Sequence, residues 1–148
     1  MGSSYTEFQG NGFWCRDTAL EIWLYLLVQE IDRHKPLPEW LAAARDHWYA
    51  CATVGFSGCI NADLDSLLSD GEQVNTAVAL AHEALHSLKQ KGSVLPRTLL
   101  NDLPIGGTDS PFTRDAETLT LRQVGEAFVD LLRGEWHTSA SDSPMLGM

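Results

Sequence analysis

Apolar residues recur along this chain with the period of an α-helix. From Asp17 to about His34 the polar positions Glu21, Tyr25, Gln29 and Asp32 fall at i, i+4, i+8 and i+11 and form one narrow stripe. Leu20, Ile22, Trp23, Leu24, Leu26, Leu27, Val28 and Ile31 fill the rest of the circumference. A helix apolar over most of its surface belongs at the centre of a fold, with neighbours on several sides. Pro38 opens a second helix, predicted to run to about Ala52, whose Trp40, Ala44, Trp48 and Cys51 share one face. A short helix is expected between Ala62 and Leu68. Ser69 and Glu72 have capping-box spacing for a third long helix that ends before Gly92. A second short helix is expected near Arg97 to Leu103, then an exposed loop from Pro104 to Pro111. A last helix begins near Thr120, carries Leu121, Val124, Phe128, Leu131 and Leu132 on its apolar stripe, and stops at Gly134.

No run of period-two alternation stands out. The pattern therefore predicts an all-α fold, a compact bundle of about five helices, two of them short. Residues 1–148 read as a single domain with a flexible arm over 1–12 and a frayed tail over 137–148.

Charge narrows the function classes. The chain holds 10 Lys and Arg against 20 Asp and Glu, a net charge of −10. So negative a surface repels phosphate backbones, which disfavours direct nucleic-acid binding, and it attracts basic partners. Cys15, Cys51 and Cys59 form no CxxC pair, and no spacing marks a Cys–His nucleophile. They read as small buried residues of a chain that works in the reducing cytoplasm. No secretory leader is recognisable, and the longest strongly apolar stretch, Ile22 to Val28, is far too short to span a bilayer.

Two local patterns carry candidate chemistry. His82-Glu83-Ala84-Leu85-His86 is HExxH and resembles the zincin metalloprotease signature. Histidines at i and i+4 share a helical face and can ligate one zinc ion, and the glutamate between them can serve as general base. The resemblance implies a zinc cofactor on His82 and His86 with Glu83 as base. The helical wheel weighs against it. Val74, Val78, Ala81, Leu85 and Leu88 define a buried centre that leaves His82 on the flank, His86 toward solvent and Glu83 opposite the core. No third ligand sits in a recognisable motif, although Glu117 and Glu126 follow at permissible distances, and no strand is expected beside the helix. The favoured expectation is no cofactor and no catalytic residue.

The second pattern is electrostatic. No Lys or Arg lies between Arg45 and Lys89, a span that holds Asp46, Asp63, Asp65, Asp70, Glu72 and Glu83. Trp48, Tyr49 and Phe56 lie close by in sequence. Acidic groups beside aromatic anchors suit a steered interface for a basic protein. Asp63, Asp65, Asp70 and Glu72 are the candidate steering charges, and Trp48, Tyr49 and Phe56 the candidate anchors.

The opening Gly12-Phe13-Trp14-Cys15-Arg16-Asp17, followed by Ala19-Leu20-Glu21-Ile22-Trp23-Leu24, together with Thr113-Arg114-Asp115 and the last helix, resembles small acidic bacterial immunity proteins of polymorphic-toxin and contact-dependent inhibition systems. That resemblance implies a cytosolic inhibitor that captures a cognate, basic toxin or effector protein. It transfers no residue, because such proteins share no universal motif. The alternatives are a small zinc-dependent hydrolase and a non-inhibitory adaptor or structural subunit.

Overall fold

A two-residue turn at Gln9 and Gly10, both at positive φ (51° and 86°), begins the fold. It joins β1 (Ser3–Phe8) to β2 (Asn11–Arg16) as an antiparallel hairpin in the register Ser3 to Arg16 and Phe8 to Asn11. Positive φ at both central positions matches the right-handed twist of the paired strands. The computed structural model describes residues 2–107 and 111–148; of the loop expected over 104–111, residues 108–110 lie outside the described residues. Near the C-terminus, β5 (Met145–Leu146) adds to β2 in parallel, giving the order β1-β2-β5.

The chain is therefore mixed α/β, and the all-α expectation is wrong. The segments read as arm and tail supply β1 and β5 of this sheet. The inner face of β1 carries Ser4, Thr6 and Phe8, all buried, so two of its three core-facing positions are polar and the strand alternation is masked. On β2, Gly12 leaves room for the Tyr5 ring, which an added Cβ would meet at 2.7 Å. The segment after the last helix is pinned to the same place: Trp136 Nε1–H and Thr138 Oγ1–H both donate to the Gly12 carbonyl, at 2.8 and 2.9 Å.

Behind the sheet lies α1 (Asp17–Asp32), buried on nearly every side as its apolar circumference requires. It packs against α2 (Glu39–Thr53), α4 (Gly71–Lys89) and α6 (Thr118–Leu132), with the short α3 (Leu64–Leu67) and α5 (Arg97–Asn101) at the periphery. A second small sheet pairs β3 (Val94–Leu95) with β4 (Ala116–Glu117). The core is centred on Trp23, Trp48 and Phe128, with Phe128 edge-on to both indoles at 5.8 and 6.3 Å. Gly125 lets α6 settle there: a Cβ at that position would sit 2.6 Å from both Trp23 and Leu85. No helix among the described residues is long and apolar enough to cross a membrane.

Of the polar stripe of α1, Glu21, Tyr25 and Asp32 meet other parts of the chain, and Gln29 is exposed. Tyr25 tilts against Tyr49 of α2, and Asp32 takes a bidentate pair of hydrogen bonds from Arg45, 2.9 Å from Nε and 3.0 Å from Nη2. Those bonds hold the Asp32 carboxyl below the usual range. At the start of α1, Asp17 accepts from Ser4 Oγ and from the Gly58 amide, both at 2.6 Å, and Ser4 Oγ accepts from the Ile60 amide. This buried chain of hydrogen bonds ties β1, α1 and the loop after α2 together.

Candidate functional site

Helix α4 begins one residue later than its sequence suggests. Asp70, not Ser69, is the cap: its Oδ1 accepts from the Gln73 amide at 2.9 Å, while Gln73 Oε1 accepts from the Ser69 amide. The buried face consists of Ala77, Leu80, Ala81, Ala84, Leu85 and Leu88, with Val74 and Val78 only half-buried. At 100° per residue this turns the core-facing centre by about 50° from the expected one, toward Glu83. Glu83 consequently reaches the end of α1 and does not point directly away from the core. His34 Nε2 lies 2.7 Å from its Oε2.

The His34–Glu83 pair is a ridge between two hollows. On one side is a groove of about 570 Å³ between the start of α2 and α4. Trp40, Leu41 and Leu80 give it an apolar floor, and Asp70, Glu72 and Glu83 stand along its α4 wall. On the other side is a hollow of about 510 Å³ lined by Glu30, Arg33, His34, His82, Glu83, His86 and Ser87.

The expected anchors are dispersed. Trp48 is fully buried, its Nε1–H donating to the Ala62 carbonyl at 2.8 Å, so it is a core residue. Tyr49 is half-buried between the Tyr25 ring and the Arg45 guanidinium, which lies 4.8 Å from its centroid. Phe56 is exposed but follows the C-terminal end of α2, whereas the groove lies at its start, about 20 Å away at 1.5 Å per residue. The aromatic residue that does reach the acidic rim is Trp40, read from the sequence as a core position.

Among the charges, Asp70 and Glu72 line the groove; Asp63 and Asp65 do not. Asp65 accepts from the Gln9 amide at 3.0 Å and ties α3 to the β1–β2 turn, and Asp63 takes a left-handed conformation before α3. The acidic face is thus partly structural. Its groove-lining part is Asp70, Glu72 and Glu83, of which Glu83 came from the other sequence pattern.

Neither catalytic arrangement assembles. His82 and His86 do not converge with any third His, Cys, Asp or Glu among the described residues. Among the described residues, the one set of three whose ligand atoms all lie within 4.8 Å of one another is Glu30, His34 and Glu83. Glu126 is paired with Arg122, and Glu117 sits in β4. Cys51 Sγ lies 3.6 Å from His47 Nε2, but that nitrogen also lies 2.7 Å from the Asn61 carbonyl, which can only accept. Nε2 therefore carries the proton and cannot take one from the thiol. Burial pushes the Cys51 thiol up to about 11, further from the reactive thiolate.

No protein-family model, curated protein or solved structure matches the chain.

Proposed function

We propose that this protein captures a basic partner protein in the groove between α2 and α4, in the manner of an immunity or inhibitor protein acting in the cytoplasm on a cognate toxin or effector. The observation that carries the reading is the groove's make-up. An apolar floor of Trp40, Leu41 and Leu80 beside three carboxylates offers an anchor site, desolvated when a partner covers it, next to charges that steer and orient. Tryptophan is among the residues that most often dominate interface energies. The net charge of −10 extends the attraction beyond the contact area, with Asp63 and Asp65 contributing at range. A segment with an aliphatic or aromatic side chain between lysines or arginines complements both features.

The kinetic test uses a synthetic peptide with one Leu flanked by lysines. Its association rate is expected to fall several-fold between about 50 and 300 mM salt, because screening shortens the reach of the field from roughly 14 to 6 Å. Dissociation should change much less. Binding whose on-rate ignores salt, or a glutamate-flanked peptide that binds equally well, would refute steering by this face.

A further inference from the structure

The hollow on the far side of the His34–Glu83 ridge brings two carboxylates and an imidazole to a common point. One ligand atom from each of Glu30, His34 and Glu83 lies within 4.8 Å of the others. Glu30 is 6% exposed, yet it lies on the apolar side of α1, nearly opposite the stripe of Glu21, Tyr25, Gln29 and Asp32. A buried carboxylate on such a face calls for a counter-charge. Both hydrogen bonds it accepts, from Ser87 Oγ at 2.7 Å and Arg33 Nη1 at 3.3 Å, fall on Oε1. That leaves Oε2 without a donor among the described residues, on a side chain held in place by Ser87. Arg33 is itself 71% exposed, so solvent weakens its compensation for the Glu30 carboxylate.

We infer that Glu30, His34 and Glu83 form a binding site for a divalent transition-metal ion of the zinc class. His34 and Glu83 also border the groove, but the site is argued from the hollow on the other side and does not depend on the partner-binding reading. Tetrahedral zinc with bonds of about 2.0–2.1 Å holds its ligand atoms roughly 3.3 Å apart. Reaching that geometry requires a contraction of at most about 1.5 Å elsewhere and a small opening of the 2.7 Å His34–Glu83 contact. The ion takes the place of the direct contact between those two groups. His34 and Glu83 can move to meet it, since both side chains are 48% exposed, while Glu30 stays anchored by Ser87. The fourth position faces the hollow and is open to water. In this arrangement Glu83 is a ligand, and the other ligands are Glu30 of α1 and His34 just beyond its end; in the HExxH scheme the ligands would be His82 and His86.

That difference makes the test specific. Zn²⁺ is titrated into the full, untagged, chelator-treated chain by calorimetry, and Co²⁺ is used to read the coordination geometry from its visible absorption. The expected result is one ion per chain, tetrahedral Co²⁺ bands, and a roughly tenfold or greater loss of affinity in His34→Ala and in Glu83→Gln. The double variant His82→Ala/His86→Ala should bind as the parent does. His34→Ala changes a half-exposed side chain beyond the end of α1, so a native circular-dichroism spectrum is expected to accompany the loss. The site is overturned if binding does not saturate at one ion, if His34→Ala binds normally, or if removing His82 and His86 weakens binding.

Discussion

Trp48→Ala is expected to lower the unfolding free energy by about 3–5 kcal/mol, as removal of a large buried aromatic side chain does. Trp48 is 0% exposed, sits edge-on to Phe128 at 6.3 Å, and donates to the Ala62 carbonyl that precedes α3. Truncation opens a cavity between α2 and α6. It also leaves that carbonyl without its donor, a further cost of about 1 kcal/mol if water cannot reach it. Trp48→Phe retains most of the apolar contact and loses only the hydrogen bond, so its destabilisation should be well under half as large. Urea unfolding of the two variants against the parent checks this ordering. A Trp48→Ala protein within about 1 kcal/mol of the parent would place the indole at a surface and return it to the list of interface anchors.

The second large effect is a pH dependence centred on Glu21. Burial, reinforced by the negative charge of Asp17, pushes the Glu21 carboxyl up to about 7 from 4.5. The folded state therefore binds the proton more tightly than the unfolded state does. The resulting stabilisation is complete below the unfolded value and is lost as pH rises through the folded one. Between about pH 5 and 8 the parent should lose on the order of 2–3 kcal/mol through this group. Glu21→Gln keeps the size and removes the titration. The difference in stability between variant and parent should then shift in favour of the variant as pH rises, by the same amount. Denaturant unfolding of both proteins at several pH values gives the difference directly. Parallel stability curves would show that Glu21 is solvated in the folded state.

These two residues also show what a single chain of letters reveals and what it hides. The long helices are legible because α1, α2, α4 and α6 each carry an apolar stripe at helical spacing. The hairpin is not, because Ser4 and Thr6 occupy inward positions of β1 and its turn is Gln9-Gly10, without the Asn-Gly or Asp-Gly that announces a tight turn. β5 is two residues long and pairs with residues 131 positions earlier, a contact that no local pattern encodes.

The site was half visible. Asp70 and Glu72 stood out as acidic residues, but the anchor beside them is Trp40, whose spacing to Ala44 and Trp48 resembled a core stripe. Leu41 takes the buried position and turns Trp40 toward the groove. His34 and Glu30 come to Glu83 from 49 and 53 residues away. The available signal was Glu30 itself, a carboxylate on the apolar side of an otherwise buried helix. Glu21, by contrast, looked like an ordinary solvent-facing stripe residue until the loop at Gly106 covered it.

Partner capture by the α2–α4 groove is tested most directly by mapping backbone amide shifts of the isotope-labelled protein on titration with the lysine-flanked leucine peptide. The shifts should concentrate on the first turns of α2 around Trp40 and Leu41 and on α4 from Glu72 to Glu83, and they should collapse in Trp40→Ala and in Glu72→Lys. Shifts that spread over the β1–β2–β5 sheet or the loop around Phe56, or that persist in both variants, would contradict it.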